Sequence, residues 1–127
     1  MQPPPQQGPA RGVVVLAHGS RDPLWRAPIE AVAARMGQLN PGVPVACAYL
    51  ELCEPGLFAA VAGLIARGVR TVDVVPAFLG VGKHAREDLP RLVEQLKAAH
   101  PGGVFTLRRA LGEDARLIEL MAQIALE

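Results

Sequence analysis

Residues 13–23 read Val-Val-Val-Leu-Ala-His-Gly-Ser-Arg-Asp-Pro, and this stretch decides the fold class. Val13 to Ala17 form an apolar run rich in β-branched side chains. That is the mark of a strand buried on both faces, as in a parallel sheet covered by helices. Downstream the period changes. Ile29, Val32, Ala33, Met36 and Leu39 recur at helical spacing between Trp25 and Leu39. Asn40-Pro41-Gly42 ends that helix, and a second strand is expected over Val45–Leu50. Pro55 suits the first turn of a second helix, striped by Leu57, Val61, Leu64 and Ile65 and stopped at Gly68.

The same alternation runs to the end of the chain. A third strand is expected over Thr71–Leu79, with Pro76 marking an end, an edge or a bulge. Gly80 to His84 reads as a loop, and Asp88 as the N-cap of a third helix carrying Leu89, Leu92, Val93 and Leu96. Pro101-Gly102-Gly103 ends it. A fourth strand follows over Val104–Arg108, then a helix striped by Leu117, Leu120, Met121 and Ile124. Strand-helix alternation repeated four times predicts an α/β three-layer sandwich with a four-stranded, mainly parallel sheet.

The chain has 127 residues, which suits one domain. Residues 1–11 form a Pro/Gln-rich tail expected to be disordered, and 12–127 the single α/β domain. The tail has neither an apolar nor a basic segment of the signal-peptide kind. No run approaches the ~20 apolar residues of a membrane span. Thirteen basic against twelve acidic residues leave a net charge of +1, which argues against nucleic-acid or membrane-surface binding. One Trp, one Tyr and three Phe are too few for a base-stacking platform. Cys47 and Cys53 are not spaced as CxxC and read as free thiols of a cytoplasmic protein. A small open sheet also makes self-association plausible.

Ligands of open α/β sheets bind outside the carboxyl ends of the strands. His18, Glu51 and His84 each follow a different strand, so the topology puts them on one rim. Two imidazoles and a carboxylate are an open three-ligand set for a divalent ion such as Co, Fe, Ni or Zn. His100 precedes Pro101 at a helix C-terminus and reads as structural. Other motifs fall short. Gly80-Val81-Gly82-Lys83 is followed by His84 rather than Ser or Thr, so it is no phosphate loop. GxSxG, HExxH and GxGxxG are all missing.

Three segments, LAHGSRDP at 16–23, YLELCEPGL at 49–57 and VVPAFLGVGKHAREDLP at 74–90, closely resemble the small sirohydrochlorin chelatases of the CbiX/SirB type. The resemblance covers nearly all of residues 12–127. It implies a chelatase-type fold that inserts a divalent metal into sirohydrochlorin, an octacarboxylate tetrapyrrole, for cobalamin, sirohaem or coenzyme F430. Co²⁺ leads because of the short single-domain form, with Fe²⁺ and Ni²⁺ behind. No permanent cofactor is implied, and short members pair as homodimers. His18, His84 and Glu51 match the family's two histidines and acidic residue, as metal ligands and catalytic groups. Physical chemistry fits that role. Insertion displaces two pyrrole protons, which a neutral His or Glu51 can accept. Arg21, Lys83 and Arg86 would meet substrate carboxylates, Ser20 could donate a hydrogen bond, and Gly19, Gly80 and Gly82 would let backbone approach a flat ligand. The rival readings are a non-catalytic metal or tetrapyrrole carrier and a metal-dependent hydrolase.

Overall fold

A computed structural model describes residues 11–127. Among the described residues the strands are β1 (Arg11–Ala17), β2 (Val45–Tyr49), β3 (Thr71–Pro76) and β4 (Val104–Leu107). The helices are α1 (Ala27–Leu39), α2 (Leu57–Ala66), α3 (Lys83–Ala99) and α4 (Ala115–Ala125). Short 3-10 turns at Pro23–Arg26 and Leu111–Glu113 lead into α1 and α4. The expected tail over 1–10 lies outside the described residues. Arg11, assigned to that tail, instead opens β1 opposite Thr71, where its guanidinium pairs with Asp73 at 3.0 Å.

All pairings are parallel and the sheet order is β2-β1-β3-β4, as the alternating pattern requires. From β1 the chain moves outward to β2 through α1. It then crosses back over β1 through α2 to β3, and on to β4 through α3. Reversing direction with right-handed crossovers puts α1 on one face and α2 and α3 on the other. The reversal leaves a topological switch point between the carboxyl ends of β1 and β3.

The α2–α3 face carries the core. Val14, Leu16, Ala48, Val72, Val74 and Phe105 point into it from the four strands. Leu57, Val61 and Leu64 of α2 and Leu89, Val93 and Leu96 of α3 cover them. β1 is buried on both sides, as its apolar run requires. The other face is covered less completely. α1 lies over β1 and β2, but α4 packs chiefly against the 3-10 turn before it, and neither helix has a buried residue.

Several expected boundaries move. Pro55 does not sit in the first turn of α2. It precedes Gly56, the N-cap, and its carbonyl accepts the Tyr49 N–H at 2.9 Å. β3 stops at Pro76, which resolves the three alternatives as a strand end. Ala77 N–H still donates to Leu16 at 2.7 Å, so the neighbouring Pro76 nitrogen faces the β4 side, where β4 has already ended opposite Val74. The largest shift concerns α3, which starts at Lys83 with Gly82 as N-cap. Asp88 is therefore no cap. It lies inside α3 and pairs with Arg91 at 2.7 Å. His84 is likewise in the helix's first turn rather than in a loop. Pro90 suggests a later start, because proline suits a first turn. Here it sits mid-helix, at the loss of one backbone bond, while Leu89 and Val93 beside it hold the helix to the core.

Candidate metal-handling site at the carboxyl rim

His18 is the first residue beyond β1, at the switch point. Its ring lies flat on Phe78, just beyond β3, with centroids 4.2 Å apart and planes inclined by 20°. Phe78 is buried while His18 is exposed. The loop after β2 comes alongside. Leu50 N–H donates to Ala17 and Glu51 N–H donates to His18, both at 3.0 Å. These two bonds tie the loop after β2 to the end of β1 and put Glu51 beside His18.

Gly19 makes that approach possible. Its φ is +105°, and a Cβ there would run into the Glu51 carbonyl oxygen. An L-residue at this position would meet both penalties at once. On the other side of Glu51, Leu52 adopts φ 69°, the left-handed region that a Leu rarely enters. Its side chain is half exposed on the rim. This turn carries Glu51 out of β2 with its carboxylate exposed.

The remaining residues of the first loop are tied locally. Ser20 Oγ accepts the Asp22 N–H at 3.0 Å, which leaves its hydroxyl proton free to donate. Asp22 caps the 3-10 turn by accepting the Leu24 N–H at 2.9 Å. Arg21 is exposed. After β3, Lys83 and His84 are exposed in the first turn of α3. Arg86 donates to the Val81 carbonyl at 2.8 Å, which holds the Gly80–Gly82 loop and occupies one of its five donors. A Cβ at Gly80 or Gly82 would meet nothing within 4 Å, so both glycines border open space.

His18 and Glu51 are thus joined through backbone, while His84 is carried by the first turn of α3. Among the described residues no group of three His, Cys, Asp or Glu is close enough to hold a metal ion. The structure does not bring His18, Glu51 and His84 together as one ligand set.

Two features of the rim escape sequence reading. One is the Phe78 ring beneath His18. The other is Gly112, in the turn before α4. Its N–H donates to the Phe78 carbonyl at 2.8 Å, and a Cβ on it would collide with the Leu79 backbone. Arg26 Nε is buried without a hydrogen-bond partner, an orphan donor close behind the first loop. Nearby, burial raises the Tyr49 phenol and the Cys47 thiol above their ordinary values. Both therefore stay protonated at neutral pH. Cys47 and Cys53 are free, as expected. No helix among the described residues is long and apolar enough to cross a membrane.

The family model described as CbiX matches residues 12–127. The chain belongs to the CbiX family. A solved CbiX relative, named for cobalamin (vitamin B12) biosynthesis, comes from Marinobacter aquaeolei VT8. It is 34% identical, has a TM-score of 0.80, and the match covers 91% of this CbiX chain and 93% of that one. A sirohydrochlorin cobaltochelatase of Methanococcoides burtonii is 26% identical over 124 residues, 91% of this chain and 95% of the relative. One from Methanopyrus kandleri is 36% identical over 81 residues, 64% of this chain, and the match spans only 57% of that relative. The cobalt complex of the sirohydrochlorin chelatase SirB from Bacillus subtilis subspecies spizizenii shares the fold, with a TM-score of 0.77 at 19% identity. The match covers 89% of this chain and 48% of SirB.

Proposed function

We propose that this CbiX chain is a sirohydrochlorin chelatase, inserting a divalent metal into the tetrapyrrole with Co²⁺ as the leading substrate ion. The observation that carries the reading is His18, whose exposed ring stands at the switch point of the sheet with Glu51 alongside. One M²⁺ enters the macrocycle and two pyrrole protons leave, so charge balances. His18 and His84 are the histidines this rim offers to the ion, and Glu51 either joins them or takes a pyrrole proton. An ion in transit suits an open site, because a closed four-ligand cage would retain it. Arg21, Lys83 and the free donors of Arg86 meet the substrate's carboxylates, and the Ser20 hydroxyl donates to another. No permanent cofactor is needed. Residues 12–127 act as one domain, and two free thiols suit a reducing cytoplasm.

The working form is a homodimer. α4 carries Leu117, Leu120, Met121 and Ile124 on one side, and none of its residues is buried. The less covered sheet face offers a groove of about 540 Å³, floored by Val13 and Val75 and walled by Met36 of α1 and by Arg108 and Arg109. α4 starts at the groove's edge, and after Arg116 the one charged residue within the helix is Glu119. The apolar stripe of α4 and the apolar floor of the groove lie on adjoining parts of one chain, so a second copy can cover both reciprocally.

The deciding experiment is an anaerobic absorbance assay. Metal-free protein receives sirohydrochlorin and then Co²⁺, Fe²⁺ or Ni²⁺, each against a control without protein. Insertion faster than the control is expected, fastest in kcat/KM with Co²⁺. His84→Ala keeps its fold, because the residue is exposed, and loses about 100-fold in kcat. Folded protein that binds sirohydrochlorin without accelerating insertion of any ion would be a carrier.

A further inference from the structure

We infer that Phe78 is a positioning residue for His18, and that it does the orienting work a hydrogen bond usually does. A histidine that meets a metal ordinarily has its second ring nitrogen tied to a carboxylate or a carbonyl, which sets the ring's orientation. Among the described residues neither ring nitrogen of His18 has such a partner. What the ring has instead is a face. It lies on Phe78 with a 4.2 Å separation and a 20° inclination. Stacking uses the π surface and leaves the ring edge, where both nitrogens and their lone pairs lie, open to the rim. The plane in which a metal or a proton must approach is therefore set, while neither nitrogen is consumed.

Phe78 is suited to this because it is buried and its backbone is anchored on two sides. It belongs to the main core, 4% exposed. On one side Ala77 N–H donates to Leu16 of β1 at 2.7 Å. On the other, Gly112 N–H donates to the Phe78 carbonyl at 2.8 Å, and Gly112 packs so closely on Leu79 that no side chain fits there. The ring under His18 is thereby held from β1 and from the turn that follows β4. The contrast with the other histidines is chemical. His84 has no aromatic neighbour among the described residues. His100 meets Phe105 only at a tilt, 6.0 Å between centroids and 44° between planes.

The catalytic half of this inference rests on the proposed chelatase reading, so the test separates structure from turnover. The first measurement is NMR of the wild-type protein. His18 ring protons should show NOEs to the Phe78 ring and lie upfield of those of His84. Their absence overturns the stack, and no variant is needed to learn it. The second is Phe78→Leu beside Phe78→Tyr. In Phe78→Leu the His18 protons should return to the His84 position. Affinity for Zn²⁺, followed on the His18 resonance, should fall about 10-fold, with recovery in Phe78→Tyr. If the wild type is a chelatase, kcat should fall by a similar factor while KM for sirohydrochlorin holds. A folded Phe78→Leu with unchanged Zn²⁺ affinity would make Phe78 a core residue only, and overturn the inference. A wild-type protein with the stack and the Zn²⁺ response but no insertion would instead sink the chelatase reading.

Discussion

α3 and α4 are both amphipathic helices that follow a strand of the same sheet, yet their apolar stripes meet different fates. Leu89, Val93 and Leu96 of α3 are each no more than 5% exposed, whereas Leu120, Met121 and Ile124 of α4 are each more than 40% exposed. A stripe at helical spacing shows that a helix needs an apolar partner. It does not show whether that partner lies in the same chain. α3 finds it in β3, β4 and α2. α4 presents an equivalent surface that the described residues leave bare, next to a sheet face that is itself only partly covered.

The sharpest way to break this comparison is to delete equivalent apolar volume from each helix. Leu96→Ala removes a fully buried side chain and should destabilise the fold by about 2–5 kcal/mol. Ile124→Ala, in protein dilute enough to be monomeric, should cost no more than about 0.5 kcal/mol, as for other exposed positions. Urea unfolding of both variants at one low concentration reads the difference. Equal losses would mean that α4 is packed within its own chain.

The second prediction concerns where the α4 stripe goes. Leu120→Asp puts a charge at the centre of the stripe without touching the core. Sedimentation equilibrium should show the wild type dimeric at micromolar concentration and the variant monomeric. A hot-spot side chain is worth about 2 kcal/mol, so dissociation should be roughly 30-fold easier. Circular dichroism should show the fold retained. A variant that stays dimeric with unchanged affinity would take α4 out of the contact.

The same contrast explains what could be read before the structure. β1 is legible because a strand buried on both faces leaves only apolar residues from Val13 to Ala17. β2 and β3 are legible from their β-branched and small apolar residues between turn signals, with Thr71 and Asp73 at half-buried positions of β3. The carboxyl-end rule then puts His18 and Glu51 on one rim. The start of α3 is not legible. Lys83 to Asp88 contain only Ala85 as an apolar residue, so no stripe announces the first turn, and Pro90 points to a later one. That displaced boundary is why His84 reads as a loop residue. The stack of His18 on Phe78 and the seat of Gly112 against Leu79 join residues from separate loops. Local propensity carries no trace of such pairs, because each depends on where two strands end relative to one another.

Capping sharpens the comparison further and yields the smallest effect. α3 starts at Gly82 with no side-chain cap, and α1 and α2 have none either. α4 starts at Asp114, which accepts the Arg116 N–H at 2.8 Å and pairs with the Arg116 guanidinium at 2.7 Å. α2 and α3, held to the core by buried side chains, dispense with a cap, whereas α4, with no buried residue, leans on its first turn. Those hydrogen bonds from Arg116 hold the Asp114 carboxyl well below the usual carboxylate range. The sign follows. A depressed folded value means that the cap's contribution is complete above the unfolded carboxylate value of about 3.9 and is lost as pH falls through the lower folded one. Carbon-13 titration of the Asp114 carboxyl should therefore give a midpoint below that of an unstructured peptide, with the α4 amide shifts following the same curve. Asp114→Ala should fray the first turn of α4 at neutral pH and leave the α3 amides unmoved. An ordinary midpoint, or an α4 indifferent to the substitution, would mean that the helix is held by packing after all, and the two helices would then differ less than their exposures imply.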